Sequence, residues 1–222
     1  MRGSPARRTE PLSGAESRAG RLHLIAGRLC LNFANTASGR GMERALEHLV
    51  SYDTLLDWAV HSGILGSEDA AALAALAVRQ PAAAREVLSQ AIALRETIYR
   101  LFTAIAERRA PAASDIAAFN EWLARVLPYM RVAAADSGFD WRWAEPRRAL
   151  DSPLWPIVRS AAETLTEAPH DRIRQCPGHD CGWLFLDSSK SGRRRWCDMN
   201  VCGNRSKARQ HYRRVKAAAG LA

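Results

Sequence analysis

Four cysteines, spaced Cys176-x4-Cys181-x15-Cys197-x4-Cys202, constrain this chain more than any other feature of its sequence. Two close pairs separated by a return-length insert have the layout of a structural zinc site. Zn2+ takes four ligands at tetrahedral corners, about 2.3 Å from each sulfur. One tight turn sets two thiolates on one side of the ion, and a second turn supplies the other two. Pro177 and Gly178 suit the first turn, and Gly203 suits the turn after the last ligand. The insert WLFLD-SSKSG-RRRW reads as a two-stranded hairpin that returns the chain between the pairs. The x4 spacing is less common than x2. Two disulfides are the rival reading, but the N-terminal arginines are not followed by the apolar stretch of an export signal, so a reducing cytoplasmic location is expected. His179 lies inside the first turn and is a substitute ligand; His170 and His211 are weaker candidates. Four thiolates leave no open position for water, so the expected cofactor is one structural Zn2+ that holds a module with almost no core.

The net charge of +9 is segregated. Residues 172–216 hold twelve bases and three acids, which accounts for the whole excess. The rest of the chain is balanced. An electroneutral body with a basic appendage points to a polyanion partner, most simply DNA. The bland alternative is a basic surface that serves only solubility. No apolar run approaches the ~20 residues of a membrane span, so no membrane partner is expected.

Residues 1–20 are rich in Gly, Pro, Ser and Arg, and read as a disordered segment. Residues 21–168 read as a mostly helical domain. Its first apolar stretch, residues 27–36, places Leu29, Leu31 and Phe33 on one parity and suggests a short strand. Cys30 within it reads as a small buried hydrophobe. Helical spacing follows over residues 43–63, with a break near 51–53 and a stop at Gly63, then from Ser67, from Pro81, from Ser114 and over residues 152–168. Between them, residues 129–144 alternate around DSG, which reads as a β-hairpin with Trp141 and Trp143 on one core-packing face. Residues 169–222 form the metal module.

After Cys202, a helix beginning near Asn204 carries Ala208, Tyr212, Val215 and Ala219 on one face, expected to dock on the metal hairpin. Arg205, Arg209, Arg213 and Lys216 form a neighbouring stripe, and Lys207 and Arg214 flank the opposite side. With Arg193, Arg194 and Arg195 of the insert, these supply the expected DNA contacts: Arg193, Arg194, Arg195, Arg205, Lys207, Arg209, Arg213 and Lys216. Adjacent strand positions point to opposite faces, so Arg194 and Arg195 should not be equally available. Trp196 is expected in the module's core, Asn204 as a helix cap, and Arg205 either on DNA or within the module, bonded to Asp187.

RRRWCDMNVCGNRSKARQHYRR resembles the signature of the CGNR zinc finger, named for Cys202, Gly203, Asn204 and Arg205. LCLNFANT (residues 29–36) resembles a segment of the ABATE domain of bacterial stress-responsive transcription regulators, with Asn32 where an aspartate is usual. The resemblance implies a two-part regulator in which the finger binds zinc and DNA. The expected fold is mainly α with a small β-hairpin, followed by a treble-clef-like zinc finger of hairpin plus helix. The helical domain would sense a small-molecule effector or mediate assembly, and a homodimer would help a small finger bind. The alternatives are a finger that docks an acidic protein partner, or an enzyme sited in the helical domain. Against an enzyme, residues 21–168 hold no Ser/His/Asp or paired-His spacing; His23, His48 and His61 are scattered.

Overall fold

A computed structural model describes residues 9–11, 18–40, 42 and 45–218. Strand β1 (Thr9–Pro11) lies within the segment expected to be disordered, and Ala19 beyond it is buried; the remainder of residues 1–17 lies outside the described residues. Helix α1 (Leu29–Ala34) replaces the strand expected there. Cys30, Leu31, Phe33 and Ala34 are all buried, so the segment has no polar face, and alternation cannot separate helix from strand in such a case. Strands β2 (Ala37–Ser38) and β3 (Ala45–Glu47) are antiparallel, and β1 joins β3 in parallel. Part of the first expected helix is thus strand. The helix proper, α2 (Tyr52–His61), starts at Ser51, whose hydroxyl accepts the Thr54 N–H at 3.2 Å while Thr54 Oγ1 accepts the Ser51 N–H at 3.0 Å.

Helices α3 (Ser67–Arg79), α4 (Pro81–Ala106) and α5 (Ala113–Val126) follow. Pro81 opens α4, where its missing N–H costs nothing. Val87, Ala91, Leu94, Ile98, Leu101 and Phe102 form its buried stripe. Strands β4 (Met130–Ala135) and β5 (Gly138–Trp143) make the expected hairpin, in register from Met130↔Trp143 to Ala135↔Gly138. Trp143 packs on Trp155 of α6 (Trp155–Glu167), with ring centroids 5.9 Å apart, whereas Trp141 is half exposed.

A buried ion chain braces the body. The Arg95 guanidinium, fully buried on α4, donates to both Glu47 oxygens at 2.5 and 2.6 Å. Arg95 and Arg40 both bind Glu96. Burial alone would push the Glu96 carboxyl up, but hydrogen bonds from Arg40 and the charges of Arg40 and Arg95 outweigh it and hold its pKa at about 2.

The last elements are β6 (Ile173–Gln175), β7 (Leu184–Leu186) and α7 (Asn204–Ala218). β6 and β7 pair antiparallel and enclose the first cysteine pair. The finger's hairpin is therefore this one. The insert forms a loop instead of the expected hairpin, because Leu184, Phe185 and Leu186 are already paired with β6 and buried in the body's core. The attachment is specific. Asn35 Nδ2 donates to the Leu184 carbonyl and its Oδ1 accepts the Leu184 N–H, both at 2.9 Å, so one side chain acts as a strand partner. Leu186 N–H donates to Ala26 O at 2.8 Å, Arg40 N–H to Cys181 O at 3.0 Å, and Tyr99 OH to Gly182 O at 2.9 Å. Gly182 has φ +71°, and a side chain there would meet Arg40 Cβ at 3.0 Å.

Candidate metal centre and nucleic-acid interface

Each cysteine pair is set by a local device. Cys176 continues β6, its N–H donating to Trp183 O at 2.8 Å, and Cys181 N–H closes a turn on Gly178 O at 3.0 Å. Gly178 lies over the sulfurs: a Cβ there would stand 3.4 Å from Cys202 Sγ and 3.5 Å from Cys176 Sγ. On the second side Asp198 caps the wide turn Met199–Gly203 that leads into α7. Its carboxylate accepts the Asn200 and Val201 N–H groups at 2.7 and 3.3 Å. Asp198, rather than Asn204, is therefore the cap; Asn204 Nδ2 donates back to Asn200 O at 3.1 Å.

The four sulfurs lie within 4.8 Å of one another, with Cys181–Cys197 at 3.5 Å and Cys197–Cys202 at 3.6 Å. Tetrahedral Zn–S bonds of about 2.3 Å require sulfurs about 3.8 Å apart, so the set fits one Zn2+. None of the five cysteines is in a disulfide. Without a cation, such a cluster cannot ionise fully. S–H donation from Cys181 and Cys197 pulls the Cys176 thiol well below its ordinary range, while the proton shared with Cys176 raises Cys181 and Cys197. A divalent cation resolves that conflict by replacing the protons. Cys176, Cys181, Cys197 and Cys202 thus form a site for one structural Zn2+, with four protein ligands and no vacancy for substrate. His179 points instead to Asp180. His170 bonds the Leu165 carbonyl.

The expected DNA-facing residues divide. Arg194 turns inward. Its guanidinium donates to Trp196 O at 3.0 Å, to Ile25 O at 3.3 Å and to Cys197 O, and it lies 4.6 Å from the centre of the Phe185 ring. It holds the second cysteine pair against the body, so its guanidinium is engaged within the protein. Arg193 and Arg195 are exposed, Arg195 standing 5.0 Å over Trp196. Arg205, Lys207, Arg209, Arg213 and Lys216 are all exposed on α7. Arg195, Arg205, Arg209 and Arg213 line one open cleft of about 450 Å3 beside Gly178 and Trp196. Arg193, Lys207 and Lys216 lie outside it. Arg209 also pairs with Asp180 at 2.6 Å, and His179 together with Arg209 holds the Asp180 carboxyl below its ordinary range.

Asp187 does not meet Arg205. It is fully buried and organises the insert, accepting Ser189 N–H and OH at 2.9 and 2.6 Å and Arg194 N–H at 2.8 Å. Burial opposes its charge, but these bonds and nearby Arg172 outweigh that and keep its pKa low. Nor does α7 dock its apolar face: Tyr212 is 67 % and Val215 52 % exposed, and Ala219 lies outside the described residues. The sulfurs fasten the start of α7 and the Arg209–Asp180 pair ties its second turn to the first cysteine turn, while Tyr212 and Val215 beyond project. Asn35, Tyr99 and Arg40, which attach the finger, carried no sequence signal beyond Asn35 lying in LCLNFANT. Asp198 had one, as an Asp just before a helix.

Compared with models of known families, residues 27–168 match ABATE, described as "Putative stress-induced transcription regulator", and residues 172–215 match the CGNR zinc finger. Neither is an enzyme family. No curated protein matches the chain. No helix among the described residues is long and apolar enough to cross a membrane.

Proposed function

The chain belongs to the ABATE family and carries a CGNR zinc finger, and from that premise we propose that it is a cytoplasmic, non-enzymatic transcription regulator that binds DNA through the finger. One observation carries the reading: Arg195, Arg205, Arg209 and Arg213 converge on a single cleft at the metal centre. Guanidiniums held by a rigid anchor suit phosphate oxygens, and Arg is also the commonest reader of guanine. Arg193, Lys207 and Lys216 extend the positive surface to either side. Zn2+ contributes shape here and takes no part in a reaction. The helical body would supply effector sensing or assembly.

The test is duplex binding by the zinc-loaded chain as salt is varied. Contact with about six phosphates gives a log–log slope of roughly −5. Selection from a random duplex pool would then reveal the preferred sequence. An absence of salt-dependent binding to any duplex defeats the proposal, and would favour an acidic protein partner for the same cleft.

A further inference from the structure

The hairpin β4–β5 leaves an apolar face open. Val132 (61 % exposed), Phe139 (78 %) and Trp141 (52 %) share that face; the base of the hairpin is held through Trp143 on Trp155, and the Arg159 guanidinium lies 5.7 Å from the Trp141 ring. Met130 and Trp141 also line a small cavity of about 180 Å3 with Leu123, Val126 and Val158. A lone two-stranded hairpin is marginal in water, and an unguarded aromatic edge is a template for another strand.

The register says which groups that edge presents. Ala144 N–H donates to Tyr129 O at 2.9 Å, one step beyond the Met130↔Trp143 pair. Bonded and non-bonded pairs alternate along an antiparallel ladder, so the even-numbered residues of β5 bond β4. The N–H and C=O groups of Phe139, Trp141 and Trp143 therefore point away from β4, and no turn or loop bond among the described residues reaches them. Neither proline nor a bulge interrupts GFDWRW.

We propose that this edge pairs with the same edge of a second copy, antiparallel about a two-fold axis at Trp141. The sequence is self-complementary in that register. Trp141 meets its own counterpart, Phe139 meets Trp143 of the second copy, and Asp140 meets Arg142 twice over. Within one hairpin Arg131 stands directly across from Arg142, an unfavourable like-charge pair. Asp140 of the second copy sets a countercharge directly across from Arg142, where the chain's own Asp140 lies two residues along the same strand. Phe139 is carried beside Trp143 of the other copy, on the face that holds the apolar cavity. The interface is small, so the dimer dissociates in about the micromolar range. Its two-fold would present two fingers to a palindromic site, although the inference rests on the hairpin alone, and its failure leaves the DNA reading intact.

Sedimentation velocity of the full zinc-loaded chain across micromolar concentrations tests the pairing. The wild type is expected to interconvert between monomer and dimer. Asp140→Lys and Arg142→Glu should each weaken self-association about tenfold or more, because each places like charges across the axis twice. An equimolar mixture of the two variants should regain the dimer, since in the mixed pair each new charge faces its opposite. Circular dichroism checks that both variants are folded. A wild type that stays monomeric throughout, single variants that dimerise like the wild type, or a mixture that stays monomeric would each overturn the proposal.

Discussion

The two cysteine pairs are both packed against the core, but the chain leaving each is held differently. Cys176 and Cys181 stand at the tip of a hairpin whose strands are buried in the helical body and bonded to it by Asn35, Ala26, Arg40 and Tyr99. Cys197 and Cys202 lead into an exposed basic helix whose Arg209 pairs with Asp180 of the first turn. One half of the finger thus belongs to the body's core, and the other is joined to it by the metal, by Arg194 and by the Arg209–Asp180 pair. The ion works as a staple between a fixed part and a functional part, more than as the core of a free-standing module.

That contrast can be broken most severely at the metal. Cys197→Ser removes a ligand from the second pair while leaving β6 and β7 their hydrogen bonds. Zinc retention should fail, and duplex affinity should fall about a hundredfold or more as α7 loses its anchor. Hydrogen exchange would show amides of 199–218 becoming unprotected while Ile173–Gln175 and Leu184–Leu186 stay protected. If both regions lost protection together, the division into fixed and stapled halves would be wrong.

The fixed half is tested at Asn35. Asn35→Ala leaves the Leu184 N–H and C=O buried without partners. Two such losses should cost about 2–4 kcal/mol of stability, read from urea unfolding. Zinc stoichiometry should stay near one, because the ligands do not depend on Asn35. A loss within about 0.5 kcal/mol, the range of an ordinary surface change, would mean that the body does not hold the hairpin.

How far these halves were legible in the sequence follows from how local their causes are. The zinc ligands, the start of α7 and the β4–β5 hairpin could be read because spacing, a turn and alternation act within a few residues. The β6–β7 pairing was not, since its strands are three residues each and are separated by the metal-binding turn. The strand at Ala45–Glu47 was hidden for another reason: its burial depends on a salt bridge from Glu47 to Arg95, 48 residues away. Charge likewise pointed outward for Arg194, and only the carbonyls gathered around it reveal that it points in. The basic cleft depends on α7 passing beside the first cysteine turn, which no pattern along the chain encodes.

Arg194 and Arg195 give the finest test, because two adjacent residues of one type fall on opposite sides of the contrast. Arg194→Gln loses bonds to three carbonyls and the stacking on Phe185. It should lower stability by about 1–3 kcal/mol and leave the salt slope of the remaining DNA binding unchanged. Arg195→Gln changes an exposed side chain, so stability should stay within about 0.5 kcal/mol. If Arg195 meets a phosphate, the slope should shrink by about 0.9, uniformly across duplex sequences. A matched pair of results, one in unfolding and one in salt dependence, would separate the residue that holds the finger from the residue that uses it. Identical behaviour of the two variants would mean that the inward contacts of Arg194 open when DNA arrives, and that the boundary between the fixed and exposed halves moves on binding.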